Sequence, residues 1–214
     1  MSATVKLYDG DPYLNRFKAR IISIDGNEVQ LNQTAFYPGG GGQASDTGFI
    51  GGFRVVDMLT SGGVITHVLE TKPLFILGDD IEGEIDWERR YRIMKLHSAA
   101  HIMEHFLWEW FGHIERLGSY VDDRKDRADY AYDGKLSAEA LKSVEDDSNS
   151  FLSKGHDVLI LSDPVRPGIR IWRCGQIEMP CAGTHVRNTA EIGAIRLRRK
   201  NPGRGVERVE TSLA

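Results

Sequence analysis

The chain has 214 residues, of which 41% are hydrophobic and 27% charged, a balance typical of a soluble globular protein with one large or two small domains. No apolar run reaches the roughly 20 residues that a membrane helix needs, and the first residues lack the apolar segment of a signal peptide. We therefore expect no membrane partner. The 2 cysteines are too few for a disulfide framework, so we expect a reduced, cytoplasmic setting.

Residues 1–85 carry short apolar runs that are separated by glycine-containing turns. This spacing predicts an all-β domain that forms a small barrel. The predicted strands cover residues 17–24, 28–31, 47–50, 53–59, 64–69 and 81–86.

Residues 86–214 mix helical and strand patterns. Ile93, Leu96 and Leu107 recur at helical spacing, which predicts a long helix over residues 86–111 with Asp86 as its N-cap. The other predicted elements are a helix at 138–152 capped by Ser137, strands at 119–121, 129–132, 158–161, 169–174, 194–199 and 206–210, and loops at 122–127 and 163–168. We therefore predict an α+β chain, in which the small N-terminal β-barrel is followed by an α/β domain with the long helix packed on an antiparallel sheet.

Two histidines, His97 and His101, lie four residues apart in the predicted long helix. They are separated by roughly 40° around the helix axis and about 6 Å along it, so they share one face. Both lie within the apolar stripe of the helix and are therefore expected to point inward. Cys181 and His185 repeat the spacing of four, and the four side chains together form a ligand set suited to Zn²⁺. A zinc-protease helix needs glutamate directly after the first histidine; Ser98 stands there, which excludes that class.

Other interpretations of these residues remain open. A buried histidine pair on a helix is more often a pair of satisfied core residues than a metal site. His105 continues the series but is rotated about 80° from His97, and Cys174 rivals Cys181 without a histidine four residues on. Four protein ligands are typical of a closed structural site, whereas a hydrolytic site keeps one position open, and the sequence does not choose between them.

The segment Gly39–Gly42 cannot form regular secondary structure, because four successive glycines favour positive φ angles and close approach of the backbone to a partner. It is not a phosphate-binding P-loop, since Gln43 stands where the lysine would follow. The segment is either a mobile hairpin tip or the wall of a substrate pocket that presents the amide of Gln43.

The net charge of −4 argues against a nucleic-acid binder, but the charge is unevenly distributed. Residues 186–214 hold seven basic and three acidic side chains, so the C-terminal end is positive while the rest of the chain is negative. This end is compatible with local contact to phosphates. The alternative is a solvated strand edge whose charges prevent aggregation.

Three separated motifs carry a resemblance to a known family. His97–His101 and Cys181–His185, with the glycine-rich stretch 36–43 before them, resemble the editing domain of alanyl-tRNA synthetases and its free-standing AlaX-type relatives. The similarity extends from about residue 5 to the C-terminus. The chain differs by having Ser98 and Ala100 where the family suggests threonines and Ala182 where it suggests glycine. None of these differences removes a ligand.

The resemblance implies one Zn²⁺ per chain, held by His97, His101, Cys181 and His185. It implies a substrate pocket formed by Thr34, Gly40, Gly41, Gly42 and Gln43. The basic C-terminal strands are predicted to contact tRNA phosphates through Arg196, Arg198, Arg199, Lys200 and Arg204. The domains would be a barrel at residues 1–85 and a zinc-binding editing domain at 86–214.

The implied activity is hydrolysis of a mischarged aminoacyl-tRNA, by attack of a zinc-associated water on the ester without a separate side-chain nucleophile. The expected substrate is tRNA(Ala) charged with serine, with glycine as a second amino acid. Because the chain has no room for an aminoacylation domain, we expect a free-standing trans-editing hydrolase. The alternatives are editing of another tRNA such as Ser-tRNA(Thr) and a non-catalytic, zinc-stabilised tRNA-binding module; the oligomeric state stays open.

Overall fold

The computed structural model describes residues 3–166 and 169–214, so the predicted loop at 163–168 lies partly outside the described residues. The chain divides into two compact units. The first ends at Tyr91 and omits only Gly41–Gln43, and the second comprises Gly41–Gln43 together with Arg92–Ala214. The described residues mix helices with predominant strands, which confirms the predicted α+β class.

The first unit is built almost entirely from strands. Its elements are β1 Val5–Lys6, α1 Leu7–Gly10, β2 Arg16–Asp25, β3 Glu28–Leu31, β4 Gln33–Thr34, β5 Gly48–Ile50, β6 Phe53–Ser61, β7 Val64–Leu69 and β8 Asp80–Ile85. The ladder runs β2-β3-β7-β6-β5-β8 and closes into a barrel, while β1 pairs with β4 in parallel. Burial alternates along β8, so every second side chain of that strand points into the barrel. Ile21, Val29, Leu31 and Ile65 of other strands form part of the same core.

A buried ion pair joins the glycine-rich segment of the first unit to the start of the long helix. Arg90 is fully buried, and its Nε donates to Asp46 Oδ1 at 2.8 Å while a second nitrogen contacts Oδ2. The other guanidinium hydrogens reach the carbonyl oxygens of Pro12 and Ala35. Asp46 also accepts from the Tyr37 N–H at 2.6 Å. The pair therefore fixes both ends of segment 37–46.

The second unit contains the long helix and two antiparallel sheets. Its elements are α2 Trp87–Phe111 (from Arg92 onward), β9 Arg116–Val121, β10 Asp126–Ala131, α3 Ala138–Ser153, β11 Val158–Ser162, β12 Arg170–Cys174, β13 Ile177–Pro180, a 3₁₀ turn Thr189–Glu191, β14 Ile195–Gly203 and β15 Val206–Leu213. One sheet has the order β14-β15-β10-β9 and the other β11-β12-β13.

Capping explains where the two longer helices begin and end. The Asp86 carboxylate accepts from the Arg89 N–H, and Gly112, with φ of 73°, follows the last residue of α2. Ser137 accepts from the Ala140 N–H at 3.1 Å, and Gly155 follows α3 with φ of 70°. The predicted caps are confirmed. In the described part of the chain, no helix combines the length and apolar character that crossing a membrane requires.

The predicted loop at 122–127 is wrong at its C-terminal end. The β9–β10 connection occupies only residues 122–125, and Asp126 is the first residue of β10 with 3% of its surface exposed. Asp126, Ala128 and Tyr130 alternate along the buried side of β10. The local charges suggested a solvated loop, but the period of two in the strand places this carboxyl group inside.

The Asp46–Arg90 pair gives a first testable expectation. Asp46→Ala should lower the free energy of unfolding by about 3–5 kcal/mol, because it leaves the guanidinium buried without its counter-charge. Urea unfolding followed by circular dichroism measures this loss. The matched control is Asp80→Ala, which removes a carboxylate from an exposed pair with Arg20 and should have little effect. Equal losses in both variants would contradict the role assigned to Asp46.

Candidate metal centre

The structure brings four of the predicted side chains into one cluster. The ligand atoms of His97, His101, Cys181 and His185 all lie within 4.8 Å of one another. Cys181 Sγ is 3.1 Å from His185 Nε2 and 3.5 Å from His97 Nε2. The three histidines are 7% exposed or less. This is a compact site of one thiol and three imidazoles, the donor types that Zn²⁺ prefers.

Two segments of the second unit supply these residues. The helical spacing on α2 places His97 and His101 together, with ring centroids 5.0 Å apart. Cys181 follows β13, and its N–H donates to the Arg170 carbonyl, so the strand register fixes its position. Gly183 must be glycine: a Cβ atom there would lie 2.5 Å from His97 Nδ1, closer than packing allows.

Hydrogen bonds to the outer ring nitrogens orient two of the histidines. Gln43 Oε1 accepts from the Thr184 N–H at 2.9 Å and lies 2.8 Å from His97 Nδ1. Since this oxygen can only accept, Nδ1 of His97 carries the proton and Nε2 is left bare. Ser98 Oγ lies 3.1 Å from His185 Nδ1 and accepts from the Val186 N–H, so this hydroxyl holds the second ring in place. Such outer contacts fix the tautomer and direction of metal-binding imidazoles.

The protonation of the cluster also fits a metal. Burial lowers the pKa of His97 to about 4 and takes the pKa values of His101 and His185 well below the usual range, so all three rings are neutral at pH 7. His101 Nε2 is buried and has no hydrogen-bond partner among the described residues. Burial raises the pKa of the Cys181 thiol, and a cation would favour the thiolate instead. The residues present therefore fit a zinc ion.

The rival ligands lie outside the cluster. His105 is partly exposed and lies 3.3 Å from Glu109 on the next turn of α2. Cys174 is fully buried, and burial, with the nearby Asp157, raises the pKa of its thiol to about 11. Neither residue belongs to the metal-binding group found among the described residues.

The glycine-rich segment is divided between the two units. Gly41, Gly42 and Gln43 belong to the second unit, where the Gly42 carbonyl accepts from the Val121 N–H at 2.7 Å. Gln43 is 2% exposed, and its Nε2 donates to Thr184 Oγ1 at 2.9 Å. The oxygen and the nitrogen of this amide are both hydrogen-bonded within the chain, which places Gln43 against His97 and Thr184. Its contact with substrate stays a prediction.

Two other predicted pocket residues belong to the first unit. Gly40 precedes the point where the chain enters the second unit. Thr34 is fully buried in the first unit, and its Oγ1 lies 3.0 Å from His67 Nε2. Burial lowers the pKa of His67 to about 4, so this ring is neutral. The place of Gly40 and Thr34 in a substrate pocket stays a prediction.

The basic residues predicted to contact tRNA lie on β14 and in the turn that follows it. Arg196 pairs with Glu145 of α3 at 3.2 Å, and Arg199 pairs with Glu207 of β15. Arg198, Lys200 and Arg204 are exposed. Arg198 and Lys200 lie on an edge strand of the four-stranded sheet, because β14 is the first strand in its order, and Arg204 lies in the turn that follows it.

Several functional candidates escaped the sequence analysis. The motifs give Ser98 no role at the site, yet it contacts His185. Thr184 was read as part of the second motif but not as the partner of Gln43. Trp172 of β12 is fully buried, with its ring centroid 4.9 Å from that of His101, and forms an apolar wall. Contacts between distant segments, such as these, leave no local signal in the sequence.

Comparison with known proteins agrees with this site. Residues 6–89 match the family of class II (A) tRNA synthetases, and residues 169–210 match the second additional domain of threonyl and alanyl tRNA synthetases. The alanine–tRNA ligases of Sulfurisphaera tokodaii and Ignicoccus hospitalis are 35% and 34% identical over 91% of this chain, which spans 24% of each ligase. The chain is thus related to alanyl-tRNA synthetases.

A shorter relative covers the whole chain. The alanyl-tRNA editing protein AlaX-M of Pyrococcus horikoshii is 37% identical over an alignment of 220 positions, which covers 100% of this chain and 99% of that protein. The chain belongs to this family of alanyl-tRNA editing proteins, and the resemblance inferred from its motifs is confirmed.

The contact of Ser98 with His185 can be tested through metal affinity. Ser98→Ala should weaken Zn²⁺ binding about tenfold or more, because the imidazole loses the hydrogen bond that orients it. Competition against a chromophoric chelator measures the dissociation constant. Ser148→Ala is the matched control, since Ser148 is a fully buried helical serine whose hydroxyl has no partner among the described residues. Unchanged affinity in the Ser98 variant would contradict the orienting role.

Proposed function

We propose that this chain is a trans-editing hydrolase that removes serine, and secondarily glycine, from mischarged tRNA(Ala). The observation that carries the proposal is the buried cluster of His97, His101, Cys181 and His185, braced by Gln43 of the glycine-rich segment. This cluster lies in a chain that is similar over its full length to an alanyl-tRNA editing protein. The four clustered residues would hold one Zn²⁺.

When bound there, the ion would supply Lewis-acid polarisation of the ester and of nearby water. The chain's own residues prepare the site. Gln43 holds His97 in one tautomer, and Ser98 orients the ring of His185 through Nδ1. Burial keeps the histidines neutral, so each ring retains one nitrogen lone pair for a metal. Trp172 closes one side with an apolar surface that excludes bulk water.

The chemistry needs little more than positioning. An aminoacyl ester is activated enough for attack by a positioned, polarised water, so no serine nucleophile is required. The need for a second site is physical: a synthetase pocket built for alanine cannot strongly reject an added hydroxyl or a missing methyl group. We propose that the exposed Arg198, Lys200 and Arg204 contact the phosphates of the tRNA, which would make binding dependent on salt.

One structural feature favours a second candidate function. Four protein donors are typical of a closed structural zinc site, whereas hydrolytic sites usually keep an open position. A non-catalytic, zinc-stabilised tRNA-binding module would use the same four residues. The two candidates differ in turnover, because only the hydrolase releases the amino acid.

The direct test is the release of radiolabelled serine by the zinc-loaded protein. We expect fast loss of serine from Ser-tRNA(Ala), with Ala-tRNA(Ala) and Ser-tRNA(Thr) stable in parallel reactions. Hydrolysis of Ser-tRNA(Thr) and not of Ser-tRNA(Ala) would show that the protein edits the threonine tRNA instead. Intact tRNA binding with no release from any substrate would support the binding module and overturn the hydrolase.

A pair of Gln43 variants tests the positioning of the centre. Gln43→Ala should slow serine release about tenfold or more and weaken Zn²⁺ binding, because His97 and the Thr184 N–H lose their shared acceptor. Gln43→Glu keeps an acceptor oxygen at the same place and should retain most of the metal affinity. Serine release and chelator competition are measured on both variants. Equal metal affinity in the two variants would show that the acceptor has no orienting role.

A further inference from the structure

A small cavity adjoins the candidate metal centre within the second unit. Its volume is about 20 Å³, and its lining includes His97, His101 and Glu104 of α2 and Asp126, Ala128 and Tyr130 of β10. A cavity of this size has room for about one water-sized group. Because two of the clustered histidines form part of its wall, a group bound at the centre could extend a short substituent into it.

One side chain of the cavity lacks a hydrogen-bond partner. Asp126 is 3% exposed, and its Oδ2 atom is buried with no partner among the described residues. Leaving such an oxygen unpaired is costly, and buried polar atoms without partners are rare in folded proteins. The alternation along β10 places Asp126 on the same side of the strand as Ala128 and Tyr130, which also line the cavity. The cavity therefore contains an unused hydrogen-bonding group.

The neighbouring charged groups are already paired. Glu104 is 2% exposed, and it accepts from Arg116 at 2.9 Å and from the Tyr130 hydroxyl at 3.3 Å. Burial, together with the negative charge of Glu104, raises the pKa of Asp126 to about 8. As a neutral acid at pH 7, the Asp126 carboxyl group can both donate and accept a hydrogen bond. A hydroxyl group offers the same combination.

We propose that Asp126 is a specificity-determining residue that hydrogen-bonds the hydroxyl of a seryl group, whose tip occupies this cavity. The inference rests on the proposed function, which places a seryl ester at the adjoining centre. A serine hydroxyl is about the size of a water molecule and satisfies Oδ2 of Asp126. Alanine ends at Cβ, so it has no group at the position of the hydroxyl and leaves the oxygen unpaired, and the cavity selects serine against alanine.

The test measures binding separately from turnover. The probes are 3′-amino-3′-deoxyadenosine carrying serine or alanine through an amide, which resists hydrolysis. Isothermal titration of the zinc-loaded wild type should show tighter binding of the seryl probe. Asp126→Ala should reduce the seryl-to-alanyl preference by about tenfold or more. Asp126→Asn keeps a donor and an acceptor of the same size and should restore most of the preference.

A control and a second measurement separate the possible outcomes. Thr211→Val changes the buried residue opposite Asp126 on β15, whose hydroxyl also lacks a partner, and should leave the preference unchanged. An unchanged preference in Asp126→Ala, or equal weakening of both probes, would overturn the proposal and leave the cavity as the site of an ordered water only. If the preference depends on Asp126 but serine is not released from tRNA, the role of Asp126 in recognising serine is supported and the proposed hydrolase activity is overturned.

Discussion

The carboxamide oxygen of Gln43 connects the two segments that supply the candidate metal ligands. One atom receives the Thr184 N–H from the segment between Cys181 and His185, and the Nδ1–H of His97 from the long helix. The two halves of the ligand set are therefore held against the same acceptor. Gly183, which cannot carry a side chain without striking His97, permits this close approach. The glycine-rich segment contacts the centre through the amide of Gln43, and its Gly42 carbonyl accepts from the Val121 N–H.

The same segment is held at its other end by charge. In the first unit, Asp46 and Arg90 form a fully buried pair, and Tyr37 donates to the same carboxylate. Buried pairs of this kind add little net stability but are costly to break, so they specify one arrangement of the chain. Both ends of segment 37–46 belong to the first unit, and only Gly41–Gln43 between them belong to the second unit. A flexible composition and a defined conformation coexist because the flanking residues supply the order.

The sequence reveals the parts of the site that depend on local geometry. Helical spacing brings His97 and His101 together, and the Cys181–His185 pair reproduces that spacing, so the four clustered residues follow from the pattern. The partners of Gln43 do not, because Thr184 is 141 positions away and no periodicity links them. The burial of Asp126 is not predicted for another reason: its charged neighbours suggest a solvated loop, whereas the strand register buries it. The alternation Asp126, Ala128, Tyr130 is the signal that was available.

The separation between Gln43 and Thr184 also has a consequence for synthesis. At about 5–20 residues per second, roughly 7–28 s pass between translation of one partner and of the other. Until the Cys181–His185 segment has been made, the helix histidines lack the other half of the ligand set, and distant contacts of this kind form slowly. A cation that needs all four residues would therefore bind only after nearly the whole chain has been made. Its binding would then stabilise the folded protein by mass action.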